Sequence, residues 1–339
     1  MAVKQSKWVF SLMTQLETVL LSNDNGMSVE IINFGGRIKS IKFPINSKPT
    51  EMTLGYSSAE EYLNDEFYMG ATCGRVCNRI ADGKFELDGR QYQLPLNEGE
   101  NCLHGGDNSF SGRYWKIDRQ ALSHCSVTLL LVSDDGDQGF PGTLNLSVTY
   151  LLSADNKLSI KYSANSDLAT PVNLTNHSYF NLGEKDCLSL HLKLNSSGFL
   201  ETDAAKIPTG NIVAVSGSNY DFTKSVSIGY REEFEQEKFL KKNNGYDDCF
   251  SLNKSPFEQP KAVLISFSNR VSMSVYTDQT AIQLYTGFNL NGKFKSYQGV
   301  CLEAQNYTDA ENNKHFSSNV LKPNQQYQRR IIFKFESIN

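Results

Sequence analysis

The sequence is poor in the features that mark membrane proteins, nucleic-acid-binding proteins and disulfide-stabilised domains. No stretch approaches the run of about 20 apolar residues that a membrane-spanning helix needs. The 33 Lys and Arg residues are scattered along the chain and are outnumbered by 37 Asp and Glu, so the formal net charge is −4. That balance offers no electrostatic attraction for nucleic acid or an anionic membrane. We therefore expect a soluble enzyme or binding protein that has neither of these as a partner.

Cysteine is also sparse. Seven residues, an odd number, are spread over 339 positions, which is not the pattern of a disulfide framework. Cys73 and Cys77 are close together, but no matching Cys or His pair stands at zinc-finger spacing, so we expect free thiols and no metal. An apolar patch at residues 8–13 is interrupted by Gln15 and Glu17 and is too short for a signal-peptide core. These observations predict a cytoplasmic protein.

Short runs with alternating apolar and polar residues dominate the chain, and Gly, Asn and Asp separate them. The clearest hairpin covers residues 85–94, where Asp88 and Gly89 suit the positive φ angles of a type I′ turn. Other strands are predicted at residues 29–34, 37–43, 127–132, 144–152, 158–163, 188–194, 262–267, 271–276, 282–286, 300–305 and 329–335.

Helical patterns are few. Residues 58–63 predict one or two turns with Ser57 or Ser58 as the cap, and residues 230–242 fit either a short helix or a loop. Many closely spaced strands with little helix favour an all-β fold, a large antiparallel β-sandwich. No linker, composition shift or fixed repeat divides the chain, so we expect one domain over residues 1–339.

Two of the five histidines, His104 and His177, have sequence neighbours that suit a ligand-binding site. His104 precedes Gly105 and Gly106, which let the backbone bend and bring a ligand close. His177 lies among polar and aromatic residues at 175–181, a mixture that suits a sugar, because its hydroxyls need hydrogen-bond partners and its C–H face stacks on aromatic rings. Either histidine could instead be an ordinary loop residue. The remaining three, which we expect at the surface, are His124, His191 and His315.

Glu303 lies within an otherwise apolar strand, on the same face as Cys301 and Gln305. Burial there would raise its pKa from about 4.3 towards the range of a general base. An exposed glutamate on an edge strand is the alternative. Further polar groups that could contact a ligand, or that could equally be solvated, are Asn78, Arg79, Asp247, Asp248 and Gln283.

At these stretches the sequence resembles the aldose 1-epimerase, or galactose mutarotase, family over nearly the whole chain. The matching segments are GATCGRVCNRI at 70–80, NCLHGG at 101–106, GFPG at 139–142, TNHSYFNL at 175–182, LYTG at 284–287 and GVCLEAQ at 299–305. Each alone is weak evidence, whereas six in the same order are specific. Two departures are Asp248, where the family usually has His, and the segment 306–309, which lacks the family's common proline.

The resemblance implies a large antiparallel β-sandwich of the galactose mutarotase type, with a concave sugar site and no cofactor. His177 falls on the family's general acid and Glu303 on its general base. Substrate-binding positions fall on Asn78, Arg79, His104, Asp247 and Gln283. The implied reaction interconverts the α and β anomers of free hexoses such as galactose and glucose, with two proton-transfer groups expected on opposite sides of the sugar. The alternatives are a hexose-6-phosphate 1-epimerase and a non-catalytic sugar-binding regulator.

Overall fold

A computed structural model describes residues 16–230 and 236–338 of the chain, and their regular secondary structure is mainly β-strand. The first strands are β1 (Thr18–Ser22), β2 (Ser28–Ile32), β3 (Arg37–Ile45), β4 (Lys48–Glu51), β5 (Thr72–Cys73), β6 (Arg79–Ile80), β7 (Lys84–Leu87), β8 (Arg90–Gln93) and β9 (Cys102–Leu103). The next are β10 (Lys116–Ile117), β11 (Ser126–Ser133), β12 (Leu144–Leu152), β13 (Lys157–Ser166), β14 (Thr170–Pro171), β15 (Thr175–Asn176), β16 (Tyr179–Phe180), β17 (His191–Leu194) and β18 (Ser196–Thr202). The last are β19 (Pro208–Ala214), β20 (Val226–Ser227), β21 (Asp247–Leu252), β22 (Ala262–Ser266), β23 (Val271–Thr277), β24 (Ala281–Tyr285), β25 (Val300–Gln305), β26 (Val320–Leu321) and β27 (Tyr327–Ser337).

Helix is confined to α1 (Gln236–Asn243) and to short 3₁₀ turns at Glu60–Asn64, Ala81–Gly83, Phe110–Gly112 and Asp137–Gly139, as far as the structure describes the chain. The all-β prediction is therefore confirmed. The cap predicted for the segment near residue 58 is wrong, because Ala59 occupies the N-cap position and makes no side-chain cap. Ser57 instead donates from its backbone N–H and its hydroxyl to the Glu61 carboxylate, at 3.0 and 2.7 Å.

Two antiparallel sheets form the main body of the fold. The larger has nine strands in the order β10-β11-β12-β13-β27-β23-β22-β17-β20, and the other has six in the order β16-β25-β24-β21-β18-β19. The predicted hairpin is β7–β8, and both Asp88 and Gly89 have positive φ (51° and 75°), as a type I′ turn requires. The other predicted strands coincide with observed strands to within a few residues.

The core lies between the two large sheets and follows from strand alternation. In β12, every second residue from Leu144 to Leu152 is at most 4% exposed. Leu302 of β25 belongs to the same apolar cluster as Phe333 of β27, so the two sheets pack against each other. Burial of each such side chain contributes roughly 1.5–3 kcal/mol. Because Leu302 faces this core, its neighbour Glu303 faces the opposite side of the six-stranded sheet.

No helix among the described residues is long and apolar enough to cross a membrane. The apolar patch at residues 8–13 lies outside the described residues.

Candidate active site

Strand register brings Glu303 and His177 together from distant parts of the chain. Tyr179 of β16 pairs with Cys301 of β25 in an antiparallel register. Continuing that register by two residues, backwards from Tyr179 and forwards from Cys301, places His177 opposite Glu303. On the other side of β25, Gln283 of β24 pairs directly with Glu303. A row of polar residues therefore crosses an otherwise apolar part of the sheet.

Glu303 is buried in the interior of the sheet, so the alternative of an exposed edge glutamate is wrong. Its residue is 2% exposed, and its Oε2 atom has no hydrogen-bond partner among the described residues. Burial raises the pKa of this carboxyl well above its usual value, the charge of Asp247 raises it further, and Arg79 opposes both. The carboxyl is therefore a strong proton acceptor with one oxygen free to receive a hydroxyl.

His177 is fixed through its backbone and through its ring. Its N–H donates to the Ala71 carbonyl at 2.9 Å, and its carbonyl accepts from the Gly70 N–H at 3.0 Å. Its ring Nε2 lies 3.7 Å from Glu303 Oε1, too far for a direct hydrogen bond but close enough for both atoms to reach one small group. Burial lowers the pKa of His177 to about 4, and the favourable interactions with its own backbone and with Asp65 do not offset this.

His104 presents a hydrogen-bond donor to the same space. Its Nδ1 accepts the Asn78 backbone N–H at 3.2 Å, so the neutral ring carries its proton on Nε2. Burial lowers the pKa of His104 well below its usual value, which is consistent with that neutral form. The loop that holds the ring is tight, since a Cβ on Gly105 would lie 2.3 Å from the Gly74 carbonyl oxygen.

Arg79 is held by carboxylates on two sides. Glu98 accepts two hydrogen bonds from its guanidinium, at 2.7 Å from Nε and 2.6 Å from Nη2. Asp247 accepts a third from Nη1 at 3.3 Å and also accepts the Gln283 amide at 2.7 Å. Asn78 is buried beside Arg79, and its Oδ1 accepts the Arg79 backbone N–H at 2.9 Å. This hydrogen-bond network fixes the orientation of each of these side chains before any ligand binds.

These residues surround a cavity of about 340 Å³. Six of the seven predicted site residues line it, whereas Gln283 lies behind Asp247 and supports its carboxylate. Sequence reasoning missed the other lining residues, most of which come from loops or are aromatic. These are Glu66, Phe67, Tyr68, Glu98, Leu103, Tyr179, Tyr285, Asn289 and Asn291. The signal for Tyr68 was its place two residues before the segment at 70–80, but nothing in the sequence distinguishes Glu98 from other loop acids.

Aromatic rings enclose the His177 imidazole. The centroid of its ring lies 5.1 Å from that of Tyr179, 5.8 Å from that of Tyr68 and 6.3 Å from that of Tyr285. His124 and His315 are exposed and His191 is half-buried, and none of the three lines the cavity. The cavity therefore combines apolar ring faces with hydrogen-bonding groups.

The positions of His177 and Glu303 differ from the expectation that the two side chains lie on opposite sides of a sugar. Their nearest atoms, His177 Nε2 and Glu303 Oε1, are 3.7 Å apart.

Ligand-type atoms of His104, His177 and Glu303 also lie within 4.8 Å of one another, a spacing that the sequence did not reveal. This is the one such cluster of three or more among the described residues. His104 Nδ1 already accepts the Asn78 backbone N–H, so a neutral His104 carries its proton on Nε2 and offers no free lone pair to an ion.

Asp248, which departs from the family pattern, does not line the cavity. It is 4% exposed, accepts the Asp247 backbone N–H at 3.0 Å and lies 3.6 Å from the Lys206 ammonium. Burial raises its pKa to about 6, and Lys206 opposes that shift. Its contact with the Asp247 backbone connects it to the site from behind.

The chain is similar to known proteins over nearly its whole length. The profile of the aldose 1-epimerase family matches residues 17–334. A galactose mutarotase from Sus scrofa is 37% identical over 333 residues, with 94% of each chain covered. An aldose 1-epimerase from Haemophilus influenzae is 35% identical, covering 94% of this chain and 96% of its own.

Solved structures show the same relationship. An aldose epimerase homologue from C. elegans superposes with a TM-score of 0.89 at 27% identity, covering 96% of this chain and 100% of that one. A galactose 1-epimerase from Lactobacillus acidophilus gives a TM-score of 0.84 at 30% identity, covering 96% and 95%. With sequence, fold and the order of the motifs in agreement, this chain belongs to the aldose 1-epimerase family.

Proposed function

We propose that this protein interconverts the α and β anomers of free hexoses such as galactose and glucose, with Glu303 as general base and His177 as general acid. The observation that carries the proposal is the 3.7 Å separation between Glu303 Oε1 and His177 Nε2 at the wall of a cavity of sugar size. Each group contributes roughly 10²–10⁴-fold to the rate.

Ring opening uses one proton transfer at each oxygen of C1. Glu303 removes the proton of the C1 hydroxyl while His177 donates a proton to the ring oxygen O5. The C1–O5 bond breaks and the C1–O1 bond becomes the carbonyl of an open-chain aldehyde. Rotation about C1–C2 exposes the other face of the carbonyl, and the reverse transfers close the ring as the other anomer.

Burial of the pair favours the opened state. The two groups share one proton, and ring opening begins from the arrangement with an imidazolium beside a carboxylate. Afterwards they still hold one proton, now on the carboxyl beside a neutral imidazole. The raised pKa of Glu303 and the lowered pKa of His177 both stabilise the second arrangement, because each group is then uncharged in a buried place. Ring opening therefore returns the shared proton to the arrangement that prevails in the free protein, after a proton has first moved from the carboxyl to the imidazole.

The other polar groups hold the sugar in position. The Nε2–H of His104 and the guanidinium of Arg79 are donors, and Asp247 is an acceptor kept in place by Gln283. Asn78 completes this set, and Tyr68, Tyr179 and Tyr285 offer apolar ring faces to the C–H groups of the sugar.

The charge of the cavity favours a free sugar over its 6-phosphate. Four acidic residues line it, namely Glu66, Glu98, Asp247 and Glu303. Among the described residues that line the cavity, Arg79 alone carries a fixed positive charge, and Glu98 and Asp247 already bind it. The other arginine near the site, Arg75, is buried and donates to the carbonyls of Pro141 and Gly142. A phosphate with nearly two negative charges would meet no free cation among these described residues.

Polarimetry distinguishes the three candidate functions. Fresh α-galactose, α-glucose and glucose 6-phosphate are each followed with and without protein, and the spontaneous rate is subtracted. We expect kcat/KM for the free hexoses to exceed that for the phosphate by at least tenfold. A preference for the phosphate would indicate the 6-phosphate epimerase, and binding of sugar without catalysis would indicate a regulator.

We further infer that the protein works in the cytoplasm as one domain. All seven cysteines are free thiols, six of them buried, which suits a reducing compartment. One apolar cluster draws residues from β1 to β27, and such a shared core supports a single folding unit.

A further inference from the structure

We propose that Cys301 is a positioning residue that holds the His177 imidazole with Nε2 directed at Glu303 and at the sugar. The proposal rests on the assignment of His177 as the general acid. It concerns which ring nitrogen carries the proton and what keeps the ring from turning over.

The geometry comes from alternate residues of one strand. Cys301 and Glu303 are two residues apart in β25, so both face the cavity side of the sheet. The imidazole of His177 spans the gap between them, with Nδ1 3.5 Å from Cys301 Sγ and Nε2 3.7 Å from Glu303 Oε1. Nδ1 therefore lies next to Cys301 and Nε2 next to Glu303, and both of these residues belong to β25.

Cys301 suits this position because a thiol can both donate and accept a hydrogen bond. Burial raises the pKa of Cys301 well above its usual value, so the group keeps its proton. The S–H can donate to Nδ1 when the imidazole is neutral, which leaves the ring proton on Nε2. The sulfur can accept from Nδ1–H when the imidazole is protonated. Nε2 therefore faces Glu303 in both charge states of the catalytic cycle.

A carboxylate behind the ring would act differently. It would accept from Nδ1–H only, would stabilise the imidazolium and would raise the pKa of His177. The weak, neutral thiol orients the ring without holding a charge there. This matches a site in which the opened state needs a neutral imidazole.

The test combines kinetics with the nitrogen spectrum of the histidines. Cys301→Val removes the donor and acceptor, Cys301→Ser keeps both, and Cys301→Ala replaces the valine variant if that variant does not fold. Cys187→Val is the matched control, because Cys187 is equally buried and its sulfur contacts the Thr286 carbonyl instead of a histidine. The chain has only five histidines, so ¹⁵N-histidine labelling with His177→Asn as the assignment variant identifies the signal of His177.

We expect the free wild-type protein at pH 7 to show His177 as the Nε2–H tautomer. Cys301→Ser should keep that tautomer and at least half of kcat, and Cys187→Val should resemble the wild type. Cys301→Val should show a mixture of tautomers and lose on the order of tenfold in kcat with KM within about twofold, as expected for a partner that orients a catalytic imidazole.

Three results would overturn the proposal. The first is a wild-type spectrum with the proton on Nδ1, as donation to the ring's own backbone carbonyl would give. The second is wild-type kcat and unchanged nitrogen shifts in Cys301→Val, and the third is an equal loss in Cys301→Ser and Cys301→Val. Failure of the proposed function is separate, because it would appear as a wild-type protein that does not accelerate anomerisation, whereas failure of the acid assignment would appear as activity that survives in His177→Asn.

Discussion

Replacing Glu303 by Gln tests the base assignment with opposite effects on activity and stability. The amide has nearly the same shape as the carboxyl but cannot accept the proton of the C1 hydroxyl. Because general catalysis contributes at least about 10², we expect kcat/KM for galactose to fall by about 100-fold or more. Polarimetry of fresh α-galactose, corrected for the spontaneous rate, measures the loss.

The same substitution should stabilise the protein at neutral and alkaline pH. The folded pKa of Glu303 is raised above its unfolded value of about 4.3. The stability that this carboxyl contributes is therefore fully present below about pH 4 and is lost as pH rises through the folded pKa. Gln does not ionise and avoids that loss, so its advantage over the wild type should grow from acid to alkaline pH in urea unfolding.

Glu311→Gln is the matched control, since Glu311 also has a buried Oε2 without a partner in the described residues and does not line the cavity. Burial raises its pKa to about 7. Linkage then gives a stabilisation on the order of 3 kcal/mol for Glu311→Gln at pH 7 and above, fading towards pH 4. The activity of Glu311→Gln should match that of the wild type.

If Glu303→Gln keeps more than about a tenth of the wild-type rate while folded, Glu303 is not the base.

Three further predictions concern the acid, the metal and the pH range. His177→Asn should lower kcat by at least about 10² with the fold unchanged by circular dichroism, and a tenth of the rate remaining would argue against the assignment. Activity should survive exhaustive dialysis against EDTA and be indifferent to reductant, whereas loss restored by one metal would assign the cluster of His104, His177 and Glu303 to an ion. The rate should be steady near neutrality and should fall as pH drops through about 4, where the pair gains a second proton and loses its base. It should also fall at alkaline pH, where the last proton leaves and no acid remains; a rate that rises steadily across this range would contradict a one-proton pair.

The alternation of apolar and polar residues predicted much of the fold, because it shows which face of a strand is buried. Strands such as β12 alternate cleanly, so their bounds could be read from the sequence. The nine two-residue strands went unrecognised, and so did five strands of four residues or more. β21 begins with two aspartates that resemble a turn, and β18 contains Ser197 and Gly198, which weaken a strand pattern. The others, in which exposed or partly exposed residues obscure the alternation, are β1, β4 and β19.

The site was predictable where chemistry and strand pattern coincide and not where loops converge. Glu303 could be placed on a polar face of an apolar strand from alternation alone. The burial of that face could not, because it depends on the strands on either side of β25. Glu98 and Tyr68 enter the cavity from loops whose positions are set by long-range packing. The role of Gln283 behind Asp247 also needed coordinates, since the register of β21 against β24 decides it.

The closeness of the proposed acid and the proposed base follows from strand pairing rather than from loop flexibility. The β16–β25 register, continued by two residues, sets His177 beside Glu303, and it also sets Cys301 beside the other ring nitrogen. A shift of one residue would turn Glu303 into the core and Leu302 towards the cavity. The apolar partners of Leu302 in the large sheet oppose such a shift, because it would bury a carboxyl among them. The packing of the core therefore maintains the spacing of His177 and Glu303, which we propose to serve two oxygens bonded to a single carbon.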